Sequence, residues 1–188
     1  MSLTVRERAD TIGTLRFVSV FTMELLARWV PTTVDLEVKI LFGRHIWEFA
    51  QHADLLGKRT HELRTALNYS PKPRAQYAEA LELAATTSAS RDRVEVMYDV
   101  LVPDLATRYR AFLAATDPFL DEPSVRIVER NLADLPRLVA ESNATRAERN
   151  DITSANDGIV DRVRAALGGA VEYVQFRPAA ATVEETLK

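Results

Sequence analysis

Two short connections on either side of one long connection constrain this chain more than any other feature. Four stretches keep apolar residues at helical spacing, and proline or glycine bounds each of them. The first is predicted from about Val5 to Val30 and ends at Pro31, whose ring denies the helix a hydrogen bond. The second spans Val34 to Gly57, with Thr32 or Thr33 to cap its start and Gly57 to stop it. The third runs from about Ser90 to Thr116, and Pro103 inside it is expected to kink or split it. The fourth extends from Pro123 to about Ala144 and contains Pro136. Two or three residues join the first pair and the turn TDPFLDEP joins the second, so each pair should be antiparallel neighbours. The second and third stretches are separated by NYSPKPR and a short helical segment, AQYAEALELAAT. A further helix is predicted over 156–167, ending at Gly168-Gly169. Strand character is confined to VEYVQF (171–176), and RPAAATVEETLK reads as a tail. The expectation is an all-α single domain over 1–188. Its core is a four-helix bundle, about 5–144, with a long crossover between helices 2 and 3, and a C-terminal helix and tail occupy 145–188.

Composition narrows the function classes. With 188 residues, 47% of them hydrophobic, the chain can bury roughly 70% of its unfolded surface. A net charge of −3 and no basic cluster argue against a nucleic-acid partner. No apolar run approaches the roughly 20 residues that cross a bilayer, and the charged start MSLTVRERADTIG has no signal-peptide core, so a cytoplasmic location without membrane contact is expected. The absence of cysteine excludes disulfides, thiolate metal sites and a cysteine nucleophile.

The second helix carries the chemistry. At about 100° per residue, with Glu37 as zero, Glu48 falls near 20°, His52 near 60° and His45 near 80°. Val34, Val38, Leu41, Phe49, Leu55 and Leu56 share that half of the wheel, while Lys39, Arg44, Gln51, Asp54 and Lys58 take the other. Two imidazoles and a carboxylate thus point where the core should be, and burying them costs a few kcal/mol each unless they find partners. His45, Glu48 and His52 are therefore the candidate pocket and acid–base residues. A His–Glu couple in an apolar pocket is expected to have both pKa values moved toward neutrality. Elsewhere, Glu24 falls with Phe17, Val20, Phe21 and Leu25, at four-residue spacing from Arg28. Glu95 and Asp99 lie one turn apart beside Tyr98, and Glu129 shares a face with Val125 and Leu132. Trp29 and Trp47 are candidate anchors for a partner, with Trp47 near 280°, on the polar side.

The order of Glu24 in helix one, RHIWEFAQHADLLGKRTHELR in helix two, Glu95 in helix three and Glu129 in helix four resembles the ferritin-like di-iron carboxylate superfamily over roughly residues 5–144. The resemblance implies a glutamate from each of two helices and a Glu-x-x-His from each of the other two. Glu24 and Glu95 would take the single positions. Helix two departs from the motif, with a four-residue step from Glu48 to His52 and a three-residue step in reversed order from His45 to Glu48. In helix four Leu132 stands three residues after Glu129, and no histidine follows. The resemblance thus implies a degenerate ligand set: iron, if bound, would draw on Glu24, Glu48, His52, Glu95, Asp99 and Glu129, and no cofactor is favoured.

Three readings follow. The first is a ferritin-like protein without full di-iron chemistry, which binds a small metabolite or supports a partner enzyme in small-molecule biosynthesis, as a homodimer or hetero-complex. The second is a non-haem iron oxygenase with one or two irons. The third is a structural or interaction bundle in which the histidines form a satisfied core network.

Overall fold

The computed structural model describes residues 3–149 and 151–178. It is all-helical, with no strand among the described residues. The elements are α1 (Val5–Thr32), α2 (Leu36–Glu62), α3 (Ala75–Ala85), α4 (Ser90–Glu95), a π-helical segment (Val96–Leu101), α5 (Val102–Ala115), α6 (Glu122–Glu148) and α7 (Ile159–Gly169). No helix is long and apolar enough to cross a membrane among the described residues.

Helix ends differ from expectation where side chains supply what the backbone lacks. A capping box opens α1, in which Thr4 and Glu7 bond reciprocally. Pro31 does not end that helix. It sits in the last turn, where Thr33 closes the helix instead: both its N–H and its hydroxyl donate to the Trp29 carbonyl. Arg93 then donates to the Thr33 hydroxyl at 3.0 Å, setting a cation at the negative end of the helix dipole. Thr33 therefore caps the end of α1 rather than the start of α2, whose N-cap is Asp35. Gly57 does not stop α2, which continues to Glu62; the glycine lies against Arg16 and Asn68, where a Cβ would collide.

The predicted third helix is divided into α4, the π segment and α5, with Pro103 in the first turn of α5. The turn before it widens to a π-helix, in which the Val102 N–H donates to the carbonyl of Met97, five residues back. Widening takes up the bond and the space that a proline denies to an α-helix. The segment VEYVQF is not a strand. It is an extended run that buries Tyr173 and Val174, with the Arg74 N–H donating to the Tyr173 carbonyl. Most of the predicted tail, 179–188, lies outside the described residues.

The long helices pair with consistent registers. Trp29 packs at a tilt against Phe42, and Gly57 lies against Arg16, so α1 and α2 run antiparallel. The hydrogen bond His45–Glu141 and the ion pairs Glu48–Arg137 and Arg59–Asp121 make α2 and α6 antiparallel. Asp99 pairs with Arg146, while Tyr109 lies near Asn131, so the π segment and α5 run antiparallel to α6. Ser19 meets Tyr109, and the Leu3 N–H reaches the Ala115 carbonyl, so α5 is antiparallel to α1. Consequently α2 and α5 point the same way, and the chain between them must travel the length of the molecule. It does so along α1: Tyr69 and Pro71 press on Gly13, and α3 continues against α7.

Candidate functional site

A polar stripe lies between α2 and α6. On α2, His45, Glu48 and His52 fall on one face. On α6, Asp134, Arg137 and Glu141 are three and four residues apart, so they also share a face. Antiparallel packing sets the two rows opposite each other.

His45 is fully buried and bonded at both nitrogens. Its Nε2 lies 3.1 Å from Glu141 Oε2, and its Nδ1 lies 2.6 Å from the Tyr98 hydroxyl. Burial lowers the imidazole pKa, against the opposing pull of Glu141. Burial alone would raise the Glu141 carboxyl, but hydrogen bonds from His45 and Arg137 outweigh it and hold it below the ordinary value. Imidazole and carboxyl thus both move down. At neutral pH Glu141 is ionised and accepts only, so Nε2 carries the proton and Nδ1 accepts from Tyr98. Burial raises the Tyr98 hydroxyl well above its usual range, which keeps it a donor. A directed chain, Tyr98 to His45 to Glu141, thus runs from the core to the half-exposed edge.

Arg137 continues the chain. One of its nitrogens lies 2.9 Å from Glu141 Oε1 and another 2.9 Å from Glu48 Oε1. The carboxylate at 48 faces an arginine on the next helix, not either histidine. His52, also buried, lies 3.1 Å from Asp134 Oδ2 through Nε2, and its ring packs edge-on against Phe49. Its pKa is lowered by burial, against the pull of Asp134. Among the described residues its Nδ1 has no hydrogen-bond partner.

The other anticipated ligands do not join this stripe. Glu24 is exposed on α1, so it does not lie on the apolar face as expected, and Glu129 is exposed on α6. Glu95 pairs with Arg91 at 2.9 Å along its own helix. Asp99 takes a two-pronged hydrogen bond from Arg146, at 2.6 and 2.9 Å. Glu24, Glu48, His52, Glu95, Asp99 and Glu129 thus do not form a common ligand set. Among the described residues no three histidine, aspartate or glutamate side chains converge on a metal position. The donors present do not fit a two-iron centre, because Glu24 and Glu129 are exposed and arginines pair with Glu48, Glu95 and Asp99. Trp29 is buried beneath Arg93 and anchors the core; Trp47 is exposed.

Sequence reasoning missed Tyr98, Asp134, Arg137 and Glu141 as site residues. A signal existed for three of them: 134, 137 and 141 repeat the spacing of 45, 48 and 52, a step of three and then of four residues, with complementary charge. The Tyr98 contact had no such signal, because the π segment shifts the register of its helix.

Beside Glu141 a groove of about 280 Å³ opens between the two helices, lined by Glu37, Ile40, Leu41, Arg44, Ala144, Thr145 and Glu148 as well. It holds three glutamates and one arginine. No family model, curated protein or solved structure matches the chain.

Proposed function

We propose that this is a ferritin-like helical protein that has lost two-metal chemistry and binds a small polar molecule in the α2–α6 groove, as a carrier or as the accessory of a partner enzyme in small-molecule biosynthesis. Support for the ferritin-like part is the order of directions: an antiparallel pair, a connection along the molecule, and a second antiparallel pair. The observation that carries the binding part is Glu141. This carboxylate lines the groove while His45 and Arg137, one at each oxygen, fix its orientation, so an acceptor is held in place before any ligand arrives. With Glu148 on the same groove, and Glu37 there already paired with Arg149, the ligand chemistry is a hydrogen-bond donor bearing positive charge, such as a small amine or guanidine. The structural reading draws on the saturation of His45, which leaves no nitrogen free for catalysis. Assembly with a second copy or with another protein belongs to the same proposal.

The test is thermal unfolding against a panel of small amines, guanidines, carboxylates and sugars, alongside iron analysis of protein from iron-replete cells. A ligand present at 100 times its dissociation constant stabilises by about 2.7 kcal/mol, a rise of several degrees for a chain of this size. Cationic compounds should raise the melting temperature of the native chain but not of folded Glu141→Gln, and iron should stay well below one atom per chain. A silent panel, or equal shifts in the variant, would leave the structural reading standing. Two irons per chain would restore the oxygenase.

A further inference from the structure

The outward stripe of α2 changes character halfway along. Its second half is what a solvated helix should carry: Gln51, Asp54 and Lys58, the last two joined by an ion pair. Its first half is apolar. Leu36 is 64% exposed, Ile40 47% and Trp47 66%, and Val34 just before the helix is 88% exposed. Positions 36, 40, 43 and 47 are successive steps of three or four residues, so they form one line along the helix. At its middle stands Gly43, exposed, where an added Cβ would meet nothing within 4 Å. Nothing inside the chain explains that glycine, since a side chain would fit and would favour the helix.

We infer that this stripe is a two-fold interface, on which α2 of a second copy crosses α2 of the first at Gly43. A two-fold contact requires a patch that complements itself. Here Ile40 lies three residues before the glycine and Trp47 four residues after it. An antiparallel crossing therefore seats the indole of each copy on Ile40 and Leu36 of the other. The missing side chain at 43 lets the backbones approach. The area also fits. The four apolar side chains expose on the order of 500 Å², close to the apolar share of a standard interface of about 800 Å² per partner. Ile40 also lines the groove beside Glu141, so a second copy would wall its open side.

The test is sedimentation of the full chain between about 1 and 100 μM, independent of any ligand, so its failure is separate from failure of the binding proposal. The native chain should sediment at twice its monomer mass. Trp47→Glu and Gly43→Leu should each shift it to monomer, by at least tenfold in dissociation constant, with helical circular dichroism retained. Both positions are exposed, and loss of fold is not expected at either. Because the chain has no cysteine, Gly43→Cys gives a single thiol, which should form a disulfide-linked dimer faster than Asp54→Cys. A folded native monomer at 100 μM overturns the inference, even if another protein binds the stripe. So does a dimer that survives both substitutions.

Discussion

Replacing Tyr98 by phenylalanine removes one oxygen from the interior and little else. That oxygen donates to His45 Nδ1 at 2.6 Å, and both residues are fully buried, so no water can take its place without rearrangement. The loss has two parts. The hydrogen bond itself contributes about 1 kcal/mol net, and the abandoned imidazole acceptor costs a further 1–2 kcal/mol or so. Phenylalanine fills almost the same volume, so cavity formation adds little. Tyr98→Phe should therefore lower unfolding stability by about 1–3 kcal/mol, a drop in melting temperature of roughly 2–4 °C for each kcal/mol. Urea unfolding followed by circular dichroism reads the first quantity. Nitrogen NMR of the histidine side chains reads the cause: His45 should carry its proton on Nε2 in the native protein. In the variant it should titrate at higher pH, because no hydroxyl then engages the Nδ1 lone pair. A stability change below about 0.3 kcal/mol, or an Nδ1-protonated His45 in the native chain, would refute the directed chain from Tyr98 to Glu141.

Three further outcomes follow from the same contacts. Both buried imidazoles titrate below the ordinary 6.5 in the folded chain, so as pH falls through 6.5 the unfolded chain takes up protons first; stability should fall by up to about 1.4 kcal/mol per pH unit for each, seen in urea midpoints between pH 7.5 and 5. A flat profile across that window would mean the imidazoles are hydrated. Gly13→Ala should destabilise by about 1–3 kcal/mol despite its better helix propensity, because the new Cβ would stand 2.7 Å from Pro71 Cδ and 3.1 Å from the Tyr69 carbonyl, as thermal unfolding would reveal. Glu24→Ala and Glu129→Ala should change stability by no more than about 0.5 kcal/mol and leave the response to added Fe(II) and oxygen unaltered; an absorbance band present in the native chain and missing in either variant would reinstate them as ligands.

Local sequence was sufficient for the helical class. Spacing of apolar residues marks each long helix, and Ser90, Ala75 and Pro123 lie at or next to observed helix starts, because periodicity and chain-breaking residues act within a few positions. The inward direction of His45 and His52 was legible for the same reason, since one helix alone sets which residues share a face. Their partners were not. Whether Glu48 meets a histidine or Arg137 depends on the register between α2 and α6, which no single helix encodes. Pro31 and Gly57 show the same limit at helix ends, where Arg93, which holds the nearby Thr33, in one case and Arg16 and Asn68 in the other come from different segments. Glu24 and Glu95 show it for the resemblance: a family pattern can be matched by residue type and order, but a ligand exists only where side chains from four helices converge. Packing decided that they do not, because arginines at 91, 137 and 146 reach the carboxylates at 95, 48 and 99 first.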